Sequence, residues 1–288
     1  MSLLPLVDEF VVALGNSDDD DNTESLIKSI KSDKIRIIYT KWDLNKYPKG
    51  MENAHQTDIA KAECKGEWLI YLQADEVIHE KFLPNIKDSC LKHTNNNVVD
   101  GFLLKYLHFY GDFDHYNDGR GWYQKEIRII RNNPDIHSYE SAQSFRKIPN
   151  FDGLSYRKKE GSKKLNVIEI DAFVYHYGWV RPPEYMQKKK IALDKIHSHN
   201  KSESLPALFN YGPIGCLPKF NESHPLVMKE WIQKFNWEDH LDYGDKYNLD
   251  RPPMKHEKIK YRALRKIEKA FFNGDHLFPF SNWNIINS

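Results

Sequence analysis

The sequence predicts an α/β fold, with a mostly parallel sheet, helices on both faces, and a helical C-terminal region after it. Two observations carry that expectation. Over the first hundred residues, short apolar runs alternate with helix-like segments, the order that builds parallel sheets. From Pro182 onward the strand-like runs stop, and segments of helical periodicity follow one another.

Taken in order, residues 9–14 (EFVVAL) read as a buried strand. The segment GNSDDDDNTESLIKSI then feeds a helix, with Asp21 as N-cap, Glu24 in the capping-box position, and acidic residues that suit the helix dipole. Residues 35–40 (IRIIYT) form the next strand and 52–64 (ENAHQTDIAKAEC) the next helix. Residues 67–72 (EWLIYL) give a third strand, followed after a short link by the helix HEKFLPNIKDSCLKH. The pattern then changes to three longer strands, at 98–110, 126–131 and 164–177, the first two joined by the turn-rich GDFDHYNDGRGW. The helical readings after residue 181 are EYMQKKKIALDKIHSH, HPLVMKEWIQKF and HEKIKYRALRKIEKAFF. The chain therefore divides into an α/β domain, 1–181, and a helical extension packed on it, 182–288.

Composition removes several function classes. The 42 basic and 41 acidic residues nearly cancel, which argues against a nucleic-acid partner. Cys64, Cys90 and Cys216 form no CxxC pair, so a structural zinc site or disulfide framework is not expected and a reducing compartment is. MSLLPLVDEF lacks the basic segment and apolar length of a signal peptide, and no apolar run is long enough to span a bilayer. There is no P-loop and no GxGxxG, and HEKFL lacks the second histidine of a zinc-protease helix. These features place the protein in the cytoplasm.

The informative stretch is LIYLQADEVIHE, residues 69–80, where a strand runs into two adjacent carboxylates. Ligands of open α/β sheets bind where the carboxyl ends of strands converge, and the three loops there (GNSDDDD, KWDLN and QADE) all carry Asp. Hard divalent cations take oxygen ligands and often need one carboxylate plus substrate phosphates. Asp75 thus reads in two ways: as the holder of a cation that bridges a diphosphate, or as part of a solvated acidic loop. Arg128, Arg131 and Arg146 read either as phosphate clamps or as partners of nearby carboxylates, and Trp122, Tyr123 and Trp179 as acceptor platforms or core aromatics.

The runs LLPLVDEFVVALGNSDDDDNTESLI, KIRIIYTKWD, EWLIYLQADEVIHE, WYQKEIRIIRN, SYESAQSFRK, VYHYGWVRPP and SHPLVMKEWI together resemble the family 2 glycosyltransferases of the GT-A fold, particularly a bacterial subgroup. The resemblance covers residues 3 to about 235 and implies a Rossmann-like GT-A sheet. It also implies sugar transfer from a nucleotide-sugar donor to an acceptor hydroxyl of a glycan, a lipid-linked acceptor or another molecule, with inversion and with help from a divalent cation (magnesium or manganese). The family's Asp-x-Asp motif falls on Gln73-Ala74-Asp75, with Gln73 in place of the first Asp, Asp75 on the metal and Glu76 in support. By the same resemblance His176 contacts metal or diphosphate, Asp18 or Asp19 the nucleobase, and Arg128 the donor. The base that takes the acceptor proton is Glu140 in SYESAQ or Glu126 in WYQKEIRIIR, although Glu126 also reads as an ion-pair partner of Arg128 or Arg131. The family's first strand-helix unit, on the order of 20–30 residues, has no counterpart before MSLLPLVDEF. That departure and Gln73 motivate a second reading, a degenerate transferase serving as a glycan-binding or scaffold protein. A nucleotidyltransferase is a third.

The last helical segment stands apart. Ile259, Ala263, Ile267 and Phe271 recur every four residues among Lys258, Lys260, Arg262, Arg265, Lys266 and Lys269. The stripe reads as a core-facing one with a solvated basic face, or as a surface for peripheral contact with an anionic membrane at its inner face.

Overall fold

A computed structural model describes residues 1–15, 21–198, 206–279 and 281–287. The alternation of the first hundred residues is realised as β1 (Phe10–Leu14), α1 (Thr23–Ser29), β2 (Ile35–Tyr39), α2 (Met51–Ala62) and β3 (Trp68–Ile70). Asn22 takes the N-cap position of α1, one residue later than expected, while Asp21 accepts the Thr23 backbone N–H at 2.7 Å. A three-residue strand, β4 (Glu76–Ile78), precedes α3 (Leu83–Lys92). The long strands follow: β5 (Gly101–Tyr110), β6 (Lys125–Arg131), the hairpin β7 (Ile136–Tyr139) and β8 (Ser144–Lys147), and β9 (Lys163–Trp179). The remainder holds α4 (Pro183–Ser198), the five-residue α5 (Lys229–Gln233), α6 (Ile259–Phe271) and a closing strand, β10 (Trp283–Ile285).

The class is α/β, but the sheet is mixed. Strands β1 and β2 pair parallel in a sheet of their own. The main sheet runs β3-β6-β5-β9-β8-β7, with β4 and β10 also on β9. Within it β5–β9 and β9–β10 are parallel, whereas β3–β6, β5–β6, β4–β9, β7–β8 and β8–β9 are antiparallel. The expectation of a mostly parallel sheet fails because β5–β6 and β7–β8 are joined by hairpin-type loops, which need no crossover helix.

The core lies on both faces of β5 and β9. Phe102, Leu104, Val174, Ile78 and Ile86 form one cluster. Phe109, Tyr175 and Tyr177 form another, in which the Phe109 and Tyr177 rings stack at 4.8 Å. Trp283 of β10 packs with Leu103, Ile127 and Leu165.

Helix α6 is oriented opposite to the core-facing reading. Its polar side meets the rest of the chain: Glu268, fully buried, pairs with Arg120, and Arg265 and Lys269 pair with Asp118 at 2.6 and 2.8 Å. The apolar stripe is turned outward, with Ile259 81%, Ile267 47% and Phe271 78% exposed. One buried carboxylate, whose partners Arg120 and the Leu277 backbone N–H lie on that side, decides which face docks.

Candidate functional site

The end of β3 delivers Asp75, and β4 fixes where it goes. After the turn Gln73–Asp75, β4 runs antiparallel to β9 with Glu76 opposite His176, and Tyr177 N–H donates to the Asp75 carbonyl at 2.9 Å. Two segments a hundred residues apart in sequence are thereby clamped so that the Asp75 and His176 side chains meet. Lys189, from the second turn of α4, completes the group. Its ammonium donates to Asp75 Oδ2 at 2.6 Å and to the Gly178 carbonyl at 2.9 Å, while His176 Nε2 lies 3.7 Å from Asp75 Oδ1.

Gly178 is the floor of this group. A Cβ there would fall 2.6 Å from His176 Nε2, 2.7 Å from Lys189 Nζ and closer still to Asp75 Oδ2. Three polar atoms from three elements therefore converge on one point that only a glycine leaves clear. Burial by itself would raise the Asp75 pKa, but His176 and then Lys189 outweigh it and hold the carboxylate well below its usual range. It is an anion at any physiological pH.

The orientation of His176 follows from its neighbours. His108 faces it across the parallel β5–β9 pair, with Nδ1 to Nδ1 at 3.0 Å, and His108 Nε2 donates to the Tyr123 carbonyl at 2.7 Å. Burial first, then the charge of His176, drives the His108 pKa well down, so His108 is neutral and carries its proton on Nε2. Its Nδ1 must accept, so His176 donates from Nδ1. That turns His176 Nε2 toward Asp75.

Glu76 and Arg128 hold the loop from behind. Both side chains are fully buried, and Arg128 meets Glu76 through Nε and Nη2 at 3.2 and 3.0 Å. Tyr106 donates to Glu76 at 2.7 Å, the Gln73 backbone N–H at 3.0 Å, and Arg128 also reaches the Gln143 carbonyl at 3.0 Å. A buried pair with its remaining valences satisfied positions a backbone. It positions the Gln73–Asp75 turn on one side and the β7–β8 loop on the other.

That loop carries Glu140. Glu140 and Ala142 both take left-handed backbone, at φ +59° and +60°, which side chains other than glycine adopt at a cost. The Glu140 carboxylate is half-buried and makes no hydrogen bond or ion pair among the described residues. Glu126, by contrast, is 1% exposed, and burial raises its pKa to about 8 against the pull of Arg128 and Ser144. Gln143 donates to its Oε1 at 3.4 Å, and its Oε2 has no partner. Glu126 is protonated at neutral pH and shut off from solvent.

The other expected site residues separate from this group. Asp18 and Asp19 lie outside the described residues. Arg131 packs over Trp68 and pairs with Glu67 at 3.0 Å, and Arg146 hydrogen-bonds Ser162 and Asn282. Trp122 and Trp179 meet edge to face at 5.3 Å within the cluster around Tyr110 and Met186. The sequence alone does not single out Lys189 or His108. Lys189 follows the buried Met186 by three residues on α4, which was the available signal; the KKK run hid which lysine turns inward.

A divalent cation at this site has chemically suitable donors in the Asp75 carboxylate and His176 Nε2. The Lys189 ammonium, however, already lies on Asp75 Oδ2 and shares the same cradle, and a second cation there would meet it at van der Waals distance. No group of three His, Cys, Asp or Glu side chains among the described residues is arranged around a metal position. As arranged, the residues do not fit a resident divalent ion.

No protein-family model matches the chain, and no curated protein matches it.

Proposed function

We propose that the protein is a glycosyltransferase of GT-A type, which moves a sugar from a nucleotide-sugar to an acceptor hydroxyl with inversion. The observation that carries the reading is the convergence of Asp75, His176 and Lys189 on the Gly178 cradle, at the carboxyl end of the third strand. Strand ends of α/β sheets are where such donors bind. A cation held there by an ionised aspartate suits a leaving diphosphate.

In the step proposed, the acceptor oxygen attacks the anomeric carbon as the bond to the β-phosphate oxygen breaks. The bonding pair leaves on the diphosphate, and the acceptor proton passes to the Glu140 carboxylate. Lys189 meets the developing negative charge, and Asp75 and the Gly178 carbonyl hold its ammonium in line. Glu140 suits the base because its carboxylate is unpaired and reachable. Glu126 does not, because it keeps its proton at neutral pH. Glu76 and Arg128 position both loops and touch neither reactant.

One observation favours a second reading. Asp75 is already neutralised within the chain, as in a glycan-binding protein that no longer turns over. A panel of nucleotide-sugars with chromatographic detection of free nucleoside diphosphate separates the two. Transferase activity predicts release that falls about 10²–10⁴-fold in Glu140→Gln, the span of general-base catalysis. A full-length chain that binds oligosaccharide but releases no nucleoside diphosphate from any donor would refute it.

A further inference from the structure

Helix α6 presents an amphipathic surface that the fold leaves uncovered. Ile259, Ala263, Ile267 and Phe271 lie on its outer side, joined by the half-exposed Phe272. The helix's one acidic residue, Glu268, is fully buried on the opposite side, held by Arg120 and by the Leu277 backbone N–H at 2.8 Å. Nothing negative therefore stands on the outer face of α6. Lys258, Lys260 and Lys266 flank the stripe, and Lys255 lies one turn before it. All four are exposed and make no ion pair with a described residue. Phe278, on the segment tied to α6 through Leu277, is 94% exposed in left-handed backbone, an unfavourable state for an aromatic residue in water.

We infer that α6 lies in the plane of an anionic lipid surface, its apolar stripe among the acyl chains and its lysines at the headgroups. Charge selects this occupant. An uninterrupted apolar row bordered only by cations complements a negatively charged interface. It opposes a second copy of itself, because pairing two such faces would set lysine against lysine. The ion pairs of the buried Glu268, of Arg265 and of Lys269 fix the helix on the domain, so the stripe cannot turn inward without stranding Glu268. This inference stands on α6 alone and is independent of the chemistry at Asp75.

The test is co-sedimentation of the full chain with vesicles of phosphatidylcholine, with and without phosphatidylglycerol. The wild-type chain is expected to bind the anionic vesicles at least about tenfold more tightly than the neutral ones. Ile259→Ser/Ile267→Ser/Phe271→Ser is expected to lose about tenfold or more, as is Lys260→Glu/Lys266→Glu. All five positions are solvent-exposed, and an unchanged thermal transition identifies a folded variant. Equal binding to neutral and anionic vesicles would overturn the inference. So would full retention in a folded stripe variant, or a concentration-dependent dimer abolished by the stripe substitutions.

Discussion

Replacing Glu126 by Gln tests the electrostatics of the sheet beneath the candidate site. The native state keeps a proton on Glu126 up to about pH 8, because burial outweighs Arg128, Ser144 and the backbone, whereas the unfolded chain releases it near 4.5. Between those values the folded protein binds one proton more than the unfolded one. Stability from this group is thus fully present below about 4.5 and lost as pH rises through 8. A separation of about 3.5 pH units, at about 1.4 kcal/mol each, sets an upper limit near 5 kcal/mol. Gln keeps the shape and an acceptor for Gln143 but has no proton to lose. Urea unfolding across this range should give a variant that matches wild type at the acid end. It should then exceed wild type progressively towards pH 8, by a few kcal/mol. A stability difference that stays constant with pH would refute the reasoning.

Arg128→Met should cost about 3–5 kcal/mol in urea unfolding, because it strands the fully buried Glu76 carboxylate; the double change with Glu76→Gln should recover part of that loss. A near-neutral single variant would show that the pair holds nothing. Gly178→Ala places a methyl where Asp75, His176 and Lys189 converge. It should destabilise by about 1–3 kcal/mol and abolish nucleoside diphosphate binding in calorimetry, and unchanged binding would show that the cradle is not the diphosphate site.

What could be read from sequence follows from how local each signal is. The β1–α1–β2–α2–β3 order is written in hydrophobic periodicity and short links, so it appears nearly residue for residue. Asp75 was legible because a strand that stops at a carboxylate is a local pattern. Strand β4 was not, since three residues carry no period, and yet it is β4 that brings Asp75 to His176. The sheet's mixed direction was hidden for a related reason. Whether a strand returns beside its neighbour or crosses over depends on pairing partners far along the chain. Helix α6 shows the limit of periodicity. The stripe was visible, but its direction was set by Glu268 finding Arg120, a residue 148 positions away. Similarly, one inward lysine among three consecutive ones is chosen by the docking of α4, not by composition.

The central claim is that the Lys189 ammonium, held by Asp75 and the Gly178 carbonyl, receives a nucleoside diphosphate. Calorimetric titration of UDP, GDP and ADP into the full chain, in EDTA and again in manganese, tests it most directly. One of the three should bind in EDTA, and Lys189→Ala should weaken that binding by about tenfold or more, while Lys189→Arg keeps most of it. Binding that requires manganese and ignores Lys189 would contradict the assignment of the cation. No binding under either condition would contradict the function itself.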